Sequence, residues 1–202
     1  MKTKIYHRHS IRLTGYDYTQ NACYFLTICT RNRECLFGEI QNAEMFLSNI
    51  GEKVKDCWQE IPNHFPQIVL HDYVIMPNHV HGIIEINNPQ SLGSNMGMCT
   101  DAVGGVGANN YSPTNHSPLR SSTNPSLLPS RPNGTSRTVG SVVRGFKIGV
   151  TKQVGFSPWQ RNYYEHIIRN GESYNTIVQY MAQNPMKWEE DCFYNESQKV
   201  AI

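Results

Sequence analysis

The chain has 202 residues, 39% of them hydrophobic and 17% charged, with a formal net charge of +2. That length suits one domain with a real core, and the small positive charge argues only weakly for a polyanionic partner. No apolar run approaches the 18 or more residues of a membrane span, and the N-terminus lacks an apolar stretch of signal-peptide length, so the chain reads as cytoplasmic with no membrane partner.

Basic residues come first: Lys2, Lys4, Arg8 and Arg12 form an N-terminal arm. Aromatic and β-branched residues over 23–30 then predict a first strand. Over 43–61, Phe46, Leu47, Ile50, Val54 and Trp58 fall on one stripe and predict an amphipathic helix. The six cysteines (Cys23, Cys29, Cys35, Cys57, Cys99, Cys192) contain no Cys-x-x-Cys pair, which speaks against a zinc ribbon and a disulfide scaffold.

The segments 68–76 and 79–86 are both apolar and β-branched and are separated by Pro77-Asn78, the composition of a hairpin. The second opens with His79-Val80-His81. Side chains two apart on a strand share a face, about 6 to 7 Å from one another, which suits two imidazoles on one cation.

From 87 to 137 the composition changes: 33 of 51 residues are Ser, Asn, Gly, Pro or Thr. Such a stretch lacks the apolar surface to offset its ordering entropy and is expected to be a flexible insert in an otherwise single domain. Beyond it, Val139, Val142, Val143, Phe146 and Val150 repeat at helical spacing, with Ser136 or Thr138 as candidate N-cap, and Arg144, Lys147 and Lys152 lie along one side. The stretch 159–168 predicts another strand, bearing Arg161 and the adjacent tyrosines Tyr163 and Tyr164.

The last helix spans 171–184. Tyr174, Ile177, Val178 and Met181 form its apolar stripe, while Tyr180 and Asn184, four residues apart, share another face. Pro185 is expected to bias Asn184 out of the helical region. A phenol and an amide oxygen then point the same way.

A His-hydrophobe-His strand followed by a helix bearing Tyr-x-x-x-Asn resembles the HUH single-tyrosine transposases of single-stranded DNA, and most of all their REP-associated branch. Besides His79-Val80-His81 and Tyr180 to Pro185, the segments Arg12-Leu13-Thr14-Gly15-Tyr16-Asp17-Tyr18, Tyr24-Phe25-Leu26-Thr27 and Trp159-Gln160-Arg161 carry the likeness. It implies an α+β, ferredoxin-like sandwich of HUH endonuclease type, with a central antiparallel sheet and packed helices.

The resemblance further implies a transposase that nicks and rejoins single strands near hairpin DNA of palindromic repeats. Tyr180 is its nucleophile and forms a 5′-phosphotyrosine. Mg²⁺ or Mn²⁺ is held by His79, His81 and Asn184, although relatives outside that branch place Gln at the last position. Arg8, Arg12, Arg144, Lys147, Lys152 and Arg161 are the expected phosphate contacts. Both a homodimer and a monomer fit, and a non-catalytic hairpin DNA-binding or RNA-binding protein is the alternative class.

Overall fold

The computed structural model describes residues 20–87 and 138–194. The basic arm with Arg8 and Arg12, the aromatics Tyr16 and Tyr18, Cys99 and all of the insert but Asn87 lie outside the described residues.

Four strands make the main sheet: β1 (Ala22–Cys29), β4 (Ile68–Met76), β5 (His79–Ile86) and β6 (Tyr164–Ile168). They are antiparallel and ordered β4-β5-β1-β6, the strand order of a ferredoxin-like α+β sandwich. β4 and β5 form the expected hairpin, with Met76 opposite His79 across the Pro77-Asn78 turn.

Strand alternation sorts the sheet's side chains to two faces. Tyr24, Leu26, Ile28, Val80, Ile84 and Ile86 pack with helices α1 (Asn49–Gln59) and α3 (Val139–Val154). Phe25 and Ile83 pack on the other face, against Met181, Tyr174, Ile177 and Val178 of helix α4 (Gly171–Gln183). His79 and His81 share the parity of Ile83 and therefore face α4. Gly82 faces the opposite way, where a Cβ would collide with the Trp58 ring of α1, so the residue after the second histidine is glycine for close packing.

Three expectations are corrected. The predicted helix over 43–61 begins only at Asn49, where Ser48 caps it by accepting from the Gly51 N–H at 3.1 Å. The residues before it form a hairpin of β2 (Gly38–Gln41) and β3 (Glu44–Leu47). Both central turn residues, Asn42 and Ala43, have positive φ (51° and 64°), as a type I′ turn requires. Phe46, assigned to the core, is 50% exposed as a result.

The predicted strand over 159–168 is ordered as β6 only from Tyr164; Trp159 makes an isolated bridge to Thr30 and the chain departs between them. Asn184 keeps a right-handed helical conformation (φ −58°, ψ −43°) despite Pro185. Its buried side chain is tied to Asp191 and outweighs the bias that proline exerts.

Among the described residues Cys29, Cys35, Cys57 and Cys192 are free thiols, whereas Cys23 is disulfide-bonded. No described helix is long and apolar enough to cross a membrane.

Candidate metal and tyrosine site

β5, α4 and the segment after α4 meet at one end of the sheet. His79 and His81 are buried (0% and 1% exposed), with ring centroids 4.4 Å apart. Phe25 stacks on His81 from the sheet side, and Phe193 packs over His79 at 4.6 Å between centroids.

The hydrogen bonds around His79 determine its tautomer. Asn78 donates through Nδ2 to the carbonyls of Arg33 (3.1 Å) and Phe193 (2.8 Å), which leaves its Oδ1 as an acceptor. His79 Nδ1 lies 2.8 Å from that oxygen and so carries the proton, turning the lone pair of Nε2 into the site. This Nε2 is buried and has no hydrogen-bond partner. His81 is held similarly, with Nδ1 2.9 Å from Thr27 Oγ1. Its Nε2 faces the Tyr180 hydroxyl at 3.2 Å.

Burial, reinforced by the Arg33 charge, holds the pKa of His79 down to about 3, and burial followed by the neighbouring His79 does the same to His81. Both rings are neutral at physiological pH, the form that ligates metals. Burial, then the charge of Asp191, raises the pKa of the Tyr180 phenol, while a hydrogen bond from the Asn184 side chain pulls it the other way. Tyr180 is 44% exposed, so its hydroxyl is reachable from outside.

Asn184 is 4% exposed, and its Oδ1 also lacks a partner. Its Nδ2 donates to Asp191 Oδ2 at 3.1 Å, and Asp191 Oδ1 accepts from the Phe193 N–H at 2.8 Å. Ligand atoms of His79, His81 and Asp191 all lie within 4.8 Å of one another. Two imidazoles, a carboxylate and an amide oxygen, with His79 Nε2 and Asn184 Oδ1 buried and unpaired among them, form a donor set that fits a divalent cation.

Sequence reasoning grouped His79, His81, Tyr180 and Asn184 through the family resemblance, and the structure places them together. It missed Asp191, seven residues beyond Asn184. It also missed Arg33, whose Nη1 donates to the Cys192 carbonyl at 2.6 Å and whose guanidinium lies 5.2 Å from the Phe193 ring centre.

A groove of about 1250 Å³ runs along α3 and the turn after β1. It is lined by Arg144, Lys147, Lys152 and Arg161, joined by Arg31 and Arg33, with Trp159 among them. Lys147 differs from its neighbours: its ammonium donates to the carbonyls of Gln160 (2.8 Å) and Asn162 (3.0 Å), and burial lowers its pKa to about 8. Tyr163 lies just before β6 and Tyr164 opens it. Tyr163 packs toward α3, and Tyr164 lies 56% exposed in a cleft beside Phe25 and α4.

No family model matches the chain. It is 45% identical over 195 residues to an uncharacterized protein of Haemophilus influenzae, covering 94% of each, and it belongs to the same family as that protein. A solved REP-associated tyrosine transposase, bound to a REP hairpin, superposes with a TM-score of 0.54 at 17% identity, over 88% of this chain and 74% of that one. The fold is that of the HUH transposases. In this HUH fold the histidine strand is the inner strand β5, clamped between β4 and β1, and the tyrosine helix packs across its outer face. The site is therefore built on rigid elements on two of its sides, and the segment 188–193 closes a third.

Proposed function

We propose that the protein is a metal-dependent endonuclease and strand transferase of single-stranded DNA, acting beside hairpin-forming palindromic repeats through Tyr180. The observation that carries this reading is the Tyr180 hydroxyl 3.2 Å from His81 Nε2, next to the orphaned, buried Nε2 of His79. A phenol alone on a helix is commonplace; a phenol facing a neutral, pre-oriented imidazole pair is a nucleophile beside a cation site.

Tyr180 attacks the scissile phosphorus through its phenolic oxygen, and its proton passes through solvent to the departing 3′-oxygen. An O–P bond forms, the P–O3′ bond breaks, and the departing strand leaves with a 3′-hydroxyl while the 5′-phosphate stays on the tyrosine. Attack by an incoming 3′-hydroxyl reverses these steps, so the bond energy is kept without ATP. A bound Mg²⁺ or Mn²⁺ supplies charge that polarises the phosphate's non-bridging oxygens.

The chain's own residues prepare this step. Asn78 and Thr27 fix the two rings, Phe25 and Phe193 exclude water from them, and the Asn184 side chain favours the phenolate. The basic groove suits the phosphate backbone of the strand or hairpin, with Arg144, Lys152 and Arg161 exposed along it. The REP hairpin on the structural neighbour supports the same substrate class.

Labelled oligonucleotides that fold as hairpins with single-stranded flanks test this reading. With Mn²⁺, strand labelled at its 3′ end is expected to become linked to protein, and strand labelled at its 5′ end to be released with an extendable 3′-hydroxyl. Tight binding with no nicking would replace the reading with a binding module. Two free fragments would replace it with a water-activating hydrolase.

A further inference from the structure

We propose that His71, Glu85 and the reduced thiol of Cys23 form a zinc site, and that oxidation of Cys23 to its disulfide abolishes that site. It lies on the α4 face of the sheet but at the far end of β5 from His79. At a strand's rise of about 3.3 Å per residue, Glu85 and His79 are about 20 Å apart. The assignment does not rest on the DNA chemistry proposed above.

The strands bring the three residues together. Cys23 of β1 is the register partner of Glu85 of β5, and both share the face of Phe25 and Ile83. β4 reaches them through a bulge. Leu70 stands opposite Ile84 and Tyr73 opposite Gly82, so His71 and Asp72 together face Ile83. An extra residue of this kind re-aims the side chains around it. One ligand atom each from Cys23, His71 and Glu85 lie within 4.8 Å of one another. Cys23 is buried, and the side chains of His71 and Glu85 are largely so.

The protons of the surrounding hydrogen bonds point to a cation between His71 and Glu85. The Tyr174 hydroxyl, from α4, donates to Asp72 Oδ2 at 3.1 Å, so its oxygen accepts from His71 Nδ1 at 3.3 Å. This tautomer turns the Nε2 lone pair toward Glu85 Oε2, 3.0 Å away. Two lone pairs at that separation require a positive centre between them, a proton or a metal ion. Tetrahedral zinc, with nitrogen and oxygen at about 2.0 to 2.2 Å, holds them about 3.4 Å apart, so a shift of a few tenths of an ångström admits it. A ring whose far nitrogen is fixed by an outer hydrogen bond is the usual form of a histidine ligand.

Charge and donor type select the ion. A Cys23 thiolate and the Glu85 carboxylate carry two negative charges beside an imidazole, and a divalent cation balances them. Burial, then Asp72 and Glu85, raise the pKa of the Tyr174 phenol to about 12, so the field here is already negative. Sulfur, nitrogen and oxygen donors together suit Zn²⁺, with water in the fourth position.

Cys23 is disulfide-bonded in the structure, whereas the thiolate is the form that ligates metals. Reduction adds two electrons and two protons to the S–S bond and yields two thiols. A dithiol supplies both and closes to its own disulfide. The Cys23 thiol then loses its proton to solvent as the cation binds.

Co²⁺, a coloured stand-in for Zn²⁺, tests the assignment on the full chain before and after reduction by a phosphine, which takes up the oxygen of water as the disulfide becomes two thiols. A thiolate-to-cobalt absorption band, removed by added Zn²⁺, is expected only after reduction. It is expected to be lost in Cys23→Ser and in His71→Gln and kept in His79→Gln, with melting temperatures as the fold control. No band from reduced wild-type protein, or an equal band without reduction, overturns the assignment. So does a band that survives Cys23→Ser or His71→Gln. A band lost in folded His79→Gln places the thiolate at the other end of β5 and overturns it as well.

Discussion

The hydroxyl of Tyr180 sits 3.2 Å from Nε2 of His81, the ring atom whose lone pair a cation would take. That lone pair serves either the phenol's proton or a cation, and not both. Loading the site therefore releases the proposed nucleophile from its hydrogen bond. Tyr180→Phe is expected to tighten Mn²⁺ binding by about fivefold, the worth of one hydrogen bond of about 1 kcal/mol. Titration of wild-type and variant protein with the ion checks it; weaker binding by the variant would mean that the phenol assists the cation.

The buried imidazoles carry a pH signature in metal-free protein. Each has a folded pKa held from the usual 6.5 down to about 3, so in that window the unfolded chain takes up protons that the fold refuses. Stability is then fully present above pH 6.5 and falls as pH drops toward 3, by up to about 1.4 kcal/mol per unit for each ring. Urea unfolding at pH 7.0, 6.0 and 5.0 with chelator present measures the slope, before most carboxylates titrate. Replacing both histidines by Gln is expected to flatten it.

Gly82 is a packing requirement of the sheet's other face. Gly82→Ala places a methyl group against the Trp58 ring, an overpacking expected to cost about 1 to 3 kcal/mol in denaturant unfolding. Wild-type stability in the variant would show that Trp58 moves freely.

The groove cations divide into two kinds. Arg144→Ala, Lys152→Ala and Arg161→Ala are each expected to weaken binding of hairpin oligonucleotides irrespective of sequence and to reduce the salt slope by about 0.7 to 0.9. Lys147→Met is expected to lower the melting temperature as well, because its ammonium ties α3 to the carbonyls of Gln160 and Asn162. Fluorescence anisotropy over a salt series, with parallel melts, separates the two.

The parts of this site that were legible in the sequence follow a simple period. His79 and His81 share a face because strands alternate, and Tyr180 and Asn184 do because helices turn every 3.6 residues. Asp191 follows no period: it arrives through the 3-10 turn Trp188–Glu190 and a local side-chain turn onto the Phe193 N–H. Arg33 is equally silent, since its contact with the Cys192 carbonyl spans 159 positions. The β2–β3 hairpin was hidden because Phe46, Leu47 and Ile50 continue the helical stripe of Val54 and Trp58, whereas the chain turns back through the positive φ of Asn42 and Ala43. Asn184 shows the converse, a local proline bias overridden by a buried hydrogen bond.

The most direct test of the central claim is to trap the covalent intermediate and locate it. Purified protein, Mn²⁺ and a hairpin-flanked single-stranded oligonucleotide are incubated, digested and analysed by peptide mass spectrometry. A nucleotide-bearing phosphotyrosine at Tyr180, absent with chelator and absent in Tyr180→Phe, is the predicted result. Cleaved DNA with no adduct, or an adduct on Tyr163 or Tyr164, would contradict it.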